Sequence, residues 1–320
     1  MTETHLHLIS GGAGSWLAAK LDMRAHPDVE HRFSFTDVLY EDADCYRFLV
    51  EGLANLLDRQ LNWQVPAADE FPDYRVSAET PIEEYAGNPE WRAFLADLRE
   101  RALLAFPEMS WLVEGRDPWE IFRDNRLLGN SRMDPCSRVG KREIRDRWIK
   151  ENMDPAQTVI TVGIGPDEKH RFDDGEGGGF QPRLAAAGWT ASAPLIGTLE
   201  GEIGALPYVA RAGMRPPRLY GLGYSHNNCG GFCCKAGHNH FANRFRVQPE
   251  RFAYDKMMEQ KLREFLGADV AMLTDRTGGD GKKPMTLAEF ERRLLENPQI
   301  EFEWLPGDSG CGCAIDEGTP

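Results

Sequence analysis

Ser10-Gly11-Gly12-Ala13-Gly14-Ser15 stands between an apolar run that ends at Ile9 and an amphipathic stretch that begins at Trp16. Strand, glycine-rich turn and helix start in that order predict a phosphate cradle. The glycines let the backbone turn tightly and approach an anion, while the open amides of a helix start and the Ser10 and Ser15 hydroxyls supply donors. The loop is not a Walker sequence, because no Gly-Lys-Ser/Thr closes it, and it lacks the Gly-x-Gly-x-x-Gly spacing of dinucleotide binders. A plain structural turn is the competing reading of the same six residues.

Composition bounds what the loop can belong to. The chain has 320 residues, 41% of them hydrophobic, enough to bury the core of one large α/β domain or of one domain with an appendage. No apolar run approaches the roughly 20 residues of a membrane span. The N-terminus shows no basic region followed by an apolar stretch, so a cytoplasmic protein is expected. A net charge of -14 argues against general nucleic-acid binding. Seven cysteines, five of them grouped at 229–234 and 311–313, do not look like an extracellular disulfide framework, which leaves metal or redox chemistry to explain them.

Strand and helix patterns alternate along the chain. Residues 5–10 and 31–36 read as strands, 42–60 and 88–106 as helices, and 158–164 as a buried strand. The stretch 64–130, rich in proline and acids at its start, is expected to form an inserted cap outside the sheet. Residues 173–179 read as a mobile acidic loop with no helix start after it, and 275–281 as a flexible turn. Residues 249–266 read as a helix, 270–273 as a short strand, and Thr286 with Glu289 as a capping box.

Two further constellations carry chemistry. Between residues 131 and 150 seven Lys/Arg face three acids, in a chain that is acidic overall. Arg138, Lys141 and Arg142, at a helix start, are the candidates for binding a phosphate or sulfate group; a solvated charged face is the alternative. The run 227–240 holds Cys229, Cys233, Cys234, His238 and His240 on a glycine-rich turn. Thiolates there suit zinc or an iron–sulfur cluster, with buried inert thiols as the alternative, and the two histidines are expected to be surface or hydrogen-bonding residues rather than ligands.

Taken in order, these motifs resemble those of the adenine nucleotide alpha-hydrolase-like superfamily, the PP-loop ATP pyrophosphatases, and within it the phosphoadenosine phosphosulfate reductase branch. Residues 10–15 are similar to its Ser-Gly-Gly-x-Asp-Ser loop, and Phe35-Thr-Asp-Val-Leu-Tyr-Glu41 to the segment after its second strand. The Cys136 to Glu143 stretch resembles its Cys-containing, Lys-bearing helix start. Gly163-Ile-Gly-Pro-Asp-Glu168 with Arg171 is similar to its arginine- and glutamate-containing region, and 229–234 stands where the branch carries later cysteines. The resemblance covers about residues 5–245.

What the resemblance implies is a Rossmann-like parallel sheet flanked by helices. It places a nucleotide-binding domain at 1–245 and a helical extension at 246–320. ATP or a related adenine nucleotide would bind through Ser10, Gly11, Gly12, Gly14, Ser15, Asp37, Arg138, Arg142, Glu168 and Arg171. Gly14 stands where the loop has aspartate, which leaves Asp37 or Asp42 to handle magnesium or pyrophosphate. A 4Fe-4S cluster, with zinc as the alternative, would sit on Cys136, Cys229, Cys233 and Cys234. Lys141 would act on the substrate, and Cys311 and Cys313 would supply a mobile thiol, although the tail 310–314 lacks the Glu-Cys-Gly-Leu-His ending of the reductases. Three activities compete: ATP-dependent activation at the α-phosphate coupled to sulfur transfer, thiol reduction of an adenosine phosphosulfate, and nucleotide binding without catalysis. The first two imply a sulfur donor or reductant as a further partner.

Overall fold

The structure, a computed structural model, describes residues 3–198, 204–275 and 283–297. Its centre is a five-stranded, wholly parallel sheet in the order β3-β2-β1-β4-β5. The strands are β1 (Thr4–Ile9), β2 (Glu30–Asp37), β3 (Met109–Val113), β4 (Thr158–Val162) and β5 (Thr190–Ser192). Helix α1 (Ala13–Ala25) connects β1 to β2, and α2 (Ala43–Leu56) and α3 (Pro89–Ala105) lie between β2 and β3. This is an α/β Rossmann-like fold with additional helices.

The chain fills one side of β1 first, with β2 and β3, and then the other side with β4 and β5. Such a reversal opens a crevice at the carboxyl ends of the two strands where it occurs, here β1 and β4. In-register pairing of Leu8 with Val162 brings those ends together. The Ser10 to Ser15 loop leaves β1 at that point.

Both faces of the sheet are covered, as a parallel sheet requires. Ile9, Phe33, Phe35 and Trp111 face one apolar core together with Leu49, Leu53, Trp91 and Trp119, whereas Leu6, Ile160 and Val162 pack with Ile149, Phe180 and Trp189 on the other. Phe252, Met258 and Leu262 from the helix Pro249–Leu266, and Phe290 and Leu294 from the helix Leu287–Glu296, join the first core. These two helices are therefore packed onto the sheet layer. Among the described residues no helix is long and apolar enough to cross a membrane.

Three expectations are corrected. The segment 64–130 does not stay out of the sheet, because β3 pairs in parallel with β2 from Phe33↔Met109 to Asp37↔Val113. Five residues give too little period-2 alternation to be recognised beside a 17-residue helix, and only Met109 and Trp111 of the five are buried. A helix does follow the acidic loop, since Phe180–Ala186 begins directly after Gly179. The loop closes on itself through Asp174, whose carboxylate accepts the amides of Glu176 and Gly178. The short strand expected at 270–273 forms instead at Leu273–Asp275, and Thr286 caps the last helix through the Glu289 amide. Residues 276–281 of the glycine-rich turn, like Cys311 and Cys313, lie outside the described residues.

Candidate nucleotide cleft and thiol site

A cleft of about 740 Å³ opens at the carboxyl ends of β1, β2 and β4. Ser10, Gly12, Ala13, Gly14 and Ser15 form one wall, and Gly163, Glu168 and Arg171 another. Two glycines make the wall possible. Gly11 has φ +71°, and a Cβ there would stand 2.4 Å from the Cys45 sulfur. At Gly163 a Cβ would come within 2.5 Å of the Ser15 backbone, so only glycine lets β4 approach the start of α1 this closely.

The loop is held from within and from far along the chain. The Ser15 hydroxyl donates to the Gly12 carbonyl at 3.0 Å and accepts the Ser10 amide at 3.1 Å. Asn227 Nδ2 donates to the Gly11 carbonyl at 2.8 Å, and the Ala13 amide donates to the Tyr220 hydroxyl at 3.2 Å. Gly12 is the N-cap of α1 and no side chain caps the helix. The positive end of a 13-residue helix therefore faces the cleft. Asn227 and Asn228 also line the cleft, and the Oδ1 atom of each is buried with no hydrogen-bond partner in the fold. A buried acceptor left unpaired costs about 1 to 3 kcal/mol, so these oxygens suit a ligand donor.

Lys141 sits on a π-helical turn, Arg138–Glu143, that leads into the helix Ile144–Asn152. Its ammonium donates to Glu41 Oε1 at 3.0 Å and lies 3.6 Å from the Cys229 sulfur. The other Glu41 oxygen accepts the Cys229 amide. Lys141 lines the cleft and also a second, small cavity bounded by Cys136, Cys229, Cys233 and Cys234. The four expected ligands are thus assembled from two segments, with the Cys136 and Cys234 sulfurs 3.7 Å apart. No disulfide joins the described cysteines. Cys229 has φ 55°, a left-handed conformation uncommon outside glycine, which fixes its thiol beside Lys141.

A tetrahedral zinc ion about 2.3 Å from each sulfur would hold its thiolates about 3.8 Å apart. Cys136 and Cys234 meet that spacing. Yet among the described residues no three cysteine sulfurs lie within 4.8 Å of one another. The set is spread wider than a single ion would hold it.

Several expected site residues stand elsewhere. Asp37 is fully buried and does not line the cleft: Oδ1 accepts the Leu39 amide at 2.7 Å and the Tyr46 hydroxyl at 2.8 Å, and Oδ2 accepts Trp111 Nε1 at 3.1 Å. Burial, with Glu41 nearby, pushes its pKa up to about 6. Asp42 caps α2 and pairs with Arg218 at 2.7 Å. Arg142 is buried against Asp134 at 3.0 Å and Ser137 at 3.2 Å, and Arg138 is exposed, 3.7 Å from Glu143. A π turn holds more residues than an α turn, so positions three apart no longer share a face. Lys141 therefore reaches the cleft without Arg138. Glu168 and Arg171 do line it and pair with each other. Arg145, Tyr220, Asn227, Asn228 and Glu41 were not expected as site residues; of these, Glu41 lay within a recognised segment, Arg145 within the basic stretch, and Asn227 and Asn228 at the head of the cysteine run.

His240 behaves as expected of a hydrogen-bonding residue. Its Nε2–H donates to the Gly231 carbonyl at 2.9 Å, and burial, with His226 stacked beside it, pushes its pKa down to about 3. Between that value and the ordinary 6.5 the unfolded chain binds a proton there and the fold does not. Its contribution to stability is present above pH 6.5 and is lost as pH falls, by about 1.4 kcal/mol per pH unit. His240→Gln, which can keep the donor, is expected to shed that slope. Denaturant midpoints at several values between pH 6 and pH 4 check it, and equal slopes for the two proteins would contradict the assignment.

Compared with protein-family models and with curated proteins, the chain matches none.

Proposed function

We propose that this chain is an adenine-nucleotide-binding enzyme of the PP-loop type, which activates its acceptor at the α-phosphate of ATP and couples that step to sulfur transfer. The observation that carries the proposal is Lys141, which lines the cleft beside the glycine-rich loop and the four-thiol cavity at once. In this reading the phosphates lie on residues 10–15, where the α1 amides and helix dipole favour an anion, and the adenosine lies toward Phe35 and Thr36. Lys141 then faces the charge that develops as pyrophosphate leaves, and Arg171, oriented by Glu168, closes the opposite wall. Acceptor oxygen attacks the α-phosphorus, the bond to the β-phosphate oxygen breaks, and pyrophosphate carries away the electron pair. Asp37 and Asp42 are both engaged in the fold, and Asp167 and Glu168 are the carboxylates that line the cleft and could meet a nucleotide-bound magnesium.

The thiol set fits an iron–sulfur cluster by donor chemistry. Thiolates are its usual ligands, and the four are spread wider than a single ion would hold them. Cys136, Cys229, Cys233 and Cys234 would hold it. When bound, such a group supplies an iron site for sulfide or an electron relay. Lys141 and the Cys229 amide, both held by Glu41, fix that side of the site.

Anaerobically purified protein is expected to be coloured, to contain iron, and to release pyrophosphate from ATP when given acceptor and sulfide. Cys136→Ala and Cys229→Ala should lose the iron. Colourless, iron-free wild-type protein would remove the cluster. Sulfite release from an adenosine phosphosulfate, without pyrophosphate release from ATP, would replace activation by the reductase reaction.

A further inference from the structure

At the opposite end of β1 from the cleft, a second group of ligand-type side chains converges. His5 and His7 alternate onto one face of β1, and register pairs His5 with His31 on β2. Helix α1 runs back across that face and delivers Asp22 and, one turn later, His26. His5, His7 and Asp22 are all buried, at 3%, 1% and 3% exposure. The ligand atoms of His5, Asp22 and His31 lie within 4.8 Å of one another. Among the described residues Asp22 has no lysine or arginine partner; its charged-type neighbours are His5, His7 and His26.

The hydrogen bonds decide which ring nitrogens are available. His31 Nε2–H donates to the His26 carbonyl at 3.0 Å, since a carbonyl only accepts. With Nε2 committed to that carbonyl, Nδ1 is the nitrogen that faces the group, 3.0 Å from His7 Nε2. His5 Nε2–H donates to Glu3 Oε1 at 3.1 Å, and its Nδ1 faces Asp22 Oδ2 at 2.5 Å. A carboxylate also only accepts, so a neutral His5 cannot satisfy both partners. An incoming cation would displace the proton from that 2.5 Å contact, the pair opening to the wider spacing of two ligands on one ion. His5 thus turns Nδ1 toward the Asp22 carboxylate, and in both rings an outer acceptor grips Nε2–H, the arrangement by which proteins orient metal-ligating histidines.

We propose that His5, His31 and Asp22 form a binding site for a divalent first-row transition-metal ion, with Glu3 and the His26 carbonyl as outer-shell partners. Two imidazoles and a carboxylate suit zinc and its neighbours rather than calcium or magnesium. His7, whose Nε2 is 3.0 Å from His31 Nδ1 and 3.8 Å from Asp22, stands beside the open fourth position. The ion would tie β1, α1 and β2 together at the end of the sheet remote from the nucleotide. This site is independent of the thiol set and does not rest on the proposed activity.

Full-length protein, stripped with chelator and desalted, is titrated with cobalt(II) and followed by visible absorption. One equivalent is expected with d–d bands and no sulfur-to-metal charge transfer, in the wild type and equally in Cys136→Ser/Cys234→Ser. His31→Gln should weaken it by about a hundredfold or more, and Glu3→Ala by about 10- to 100-fold. Glu3 is 56% exposed and His31 half-buried, so both variants test the site even where Asp22→Asn fails to fold. Cobalt bound only through sulfur, no binding, or undiminished binding in His31→Gln would leave an imidazolium–carboxylate pair and overturn the proposal.

Discussion

Arg244→Leu is expected to destabilise the protein by about 3 to 5 kcal/mol, the usual result of removing one partner of a buried ion pair. Arg244 and Asp255 are both 0% exposed, and Nε lies 2.5 Å from Asp255 Oδ2. Burial pushes the Asp255 pKa up, and the guanidinium opposes that shift. Without it, a carboxylate is left in an apolar core with the Tyr40 hydroxyl as its remaining donor, at 3.1 Å. For a large domain the loss corresponds to a fall in Tm of roughly 10 °C. The effect should reach the thiol site, because Arg244 Nη1 also donates to the Gly230 carbonyl at 2.9 Å, next to Cys229. If the thiols hold iron as proposed, its content should fall along with stability. Arg244→Met/Asp255→Leu, which removes both charges, should recover most of the thermal stability but not the Gly230 contact. A single Arg244 variant within about 1 kcal/mol of wild type would show that the pair does not carry this part of the core.

Local chemistry was legible in the sequence and long-range chemistry was not. Residues 10–15 announce a strand, a tight turn and a helix start by their own composition, and the structure has β1, the turn at Gly11 and α1 there. Nothing nearby in sequence signals Tyr220 or Asn227, which hold that loop from 207 and 216 residues away. The cysteine run 229–234 is visible by spacing alone, whereas its approach to Cys136 spans 98 residues and was implied only by resemblance. Asp37 misled because a carboxylate at a strand end is a common ligand, and its three donors, Leu39, Tyr46 and Trp111, are fixed by tertiary packing. Arg138 and Arg142 misled because charge counting does not reveal a π turn. The His5, Asp22 and His31 group had no sequence signal, because strand register and the length of α1 bring it together.

Lys141→Met is expected to separate binding from turnover. If Lys141 faces charge that develops only as the leaving group departs, its loss should lower turnover by about 10²- to 10³-fold, as removal of one such donor typically does. Nucleotide affinity should change little, because the α1 amides and Arg171 still meet the phosphates. The substitution also strips Glu41, which is 1% exposed, of its cation, so a stability loss would confuse the result. Lys141→Met/Glu41→Gln addresses that problem: the glutamine removes the buried charge and its carbonyl can still accept the Cys229 amide. Binding is read by nucleotide titration and turnover by pyrophosphate release, with iron content as a control for the thiol site. A double variant that folds, keeps its iron and binds ATP within about tenfold of wild type, yet turns over at least 10²-fold more slowly, fits a lysine acting in the transition state. Equal losses in affinity and turnover would make Lys141 a binding residue only. Unchanged turnover would make it a strut between Glu41 and Cys229, and the link between the cleft and the thiols would then be structural rather than chemical.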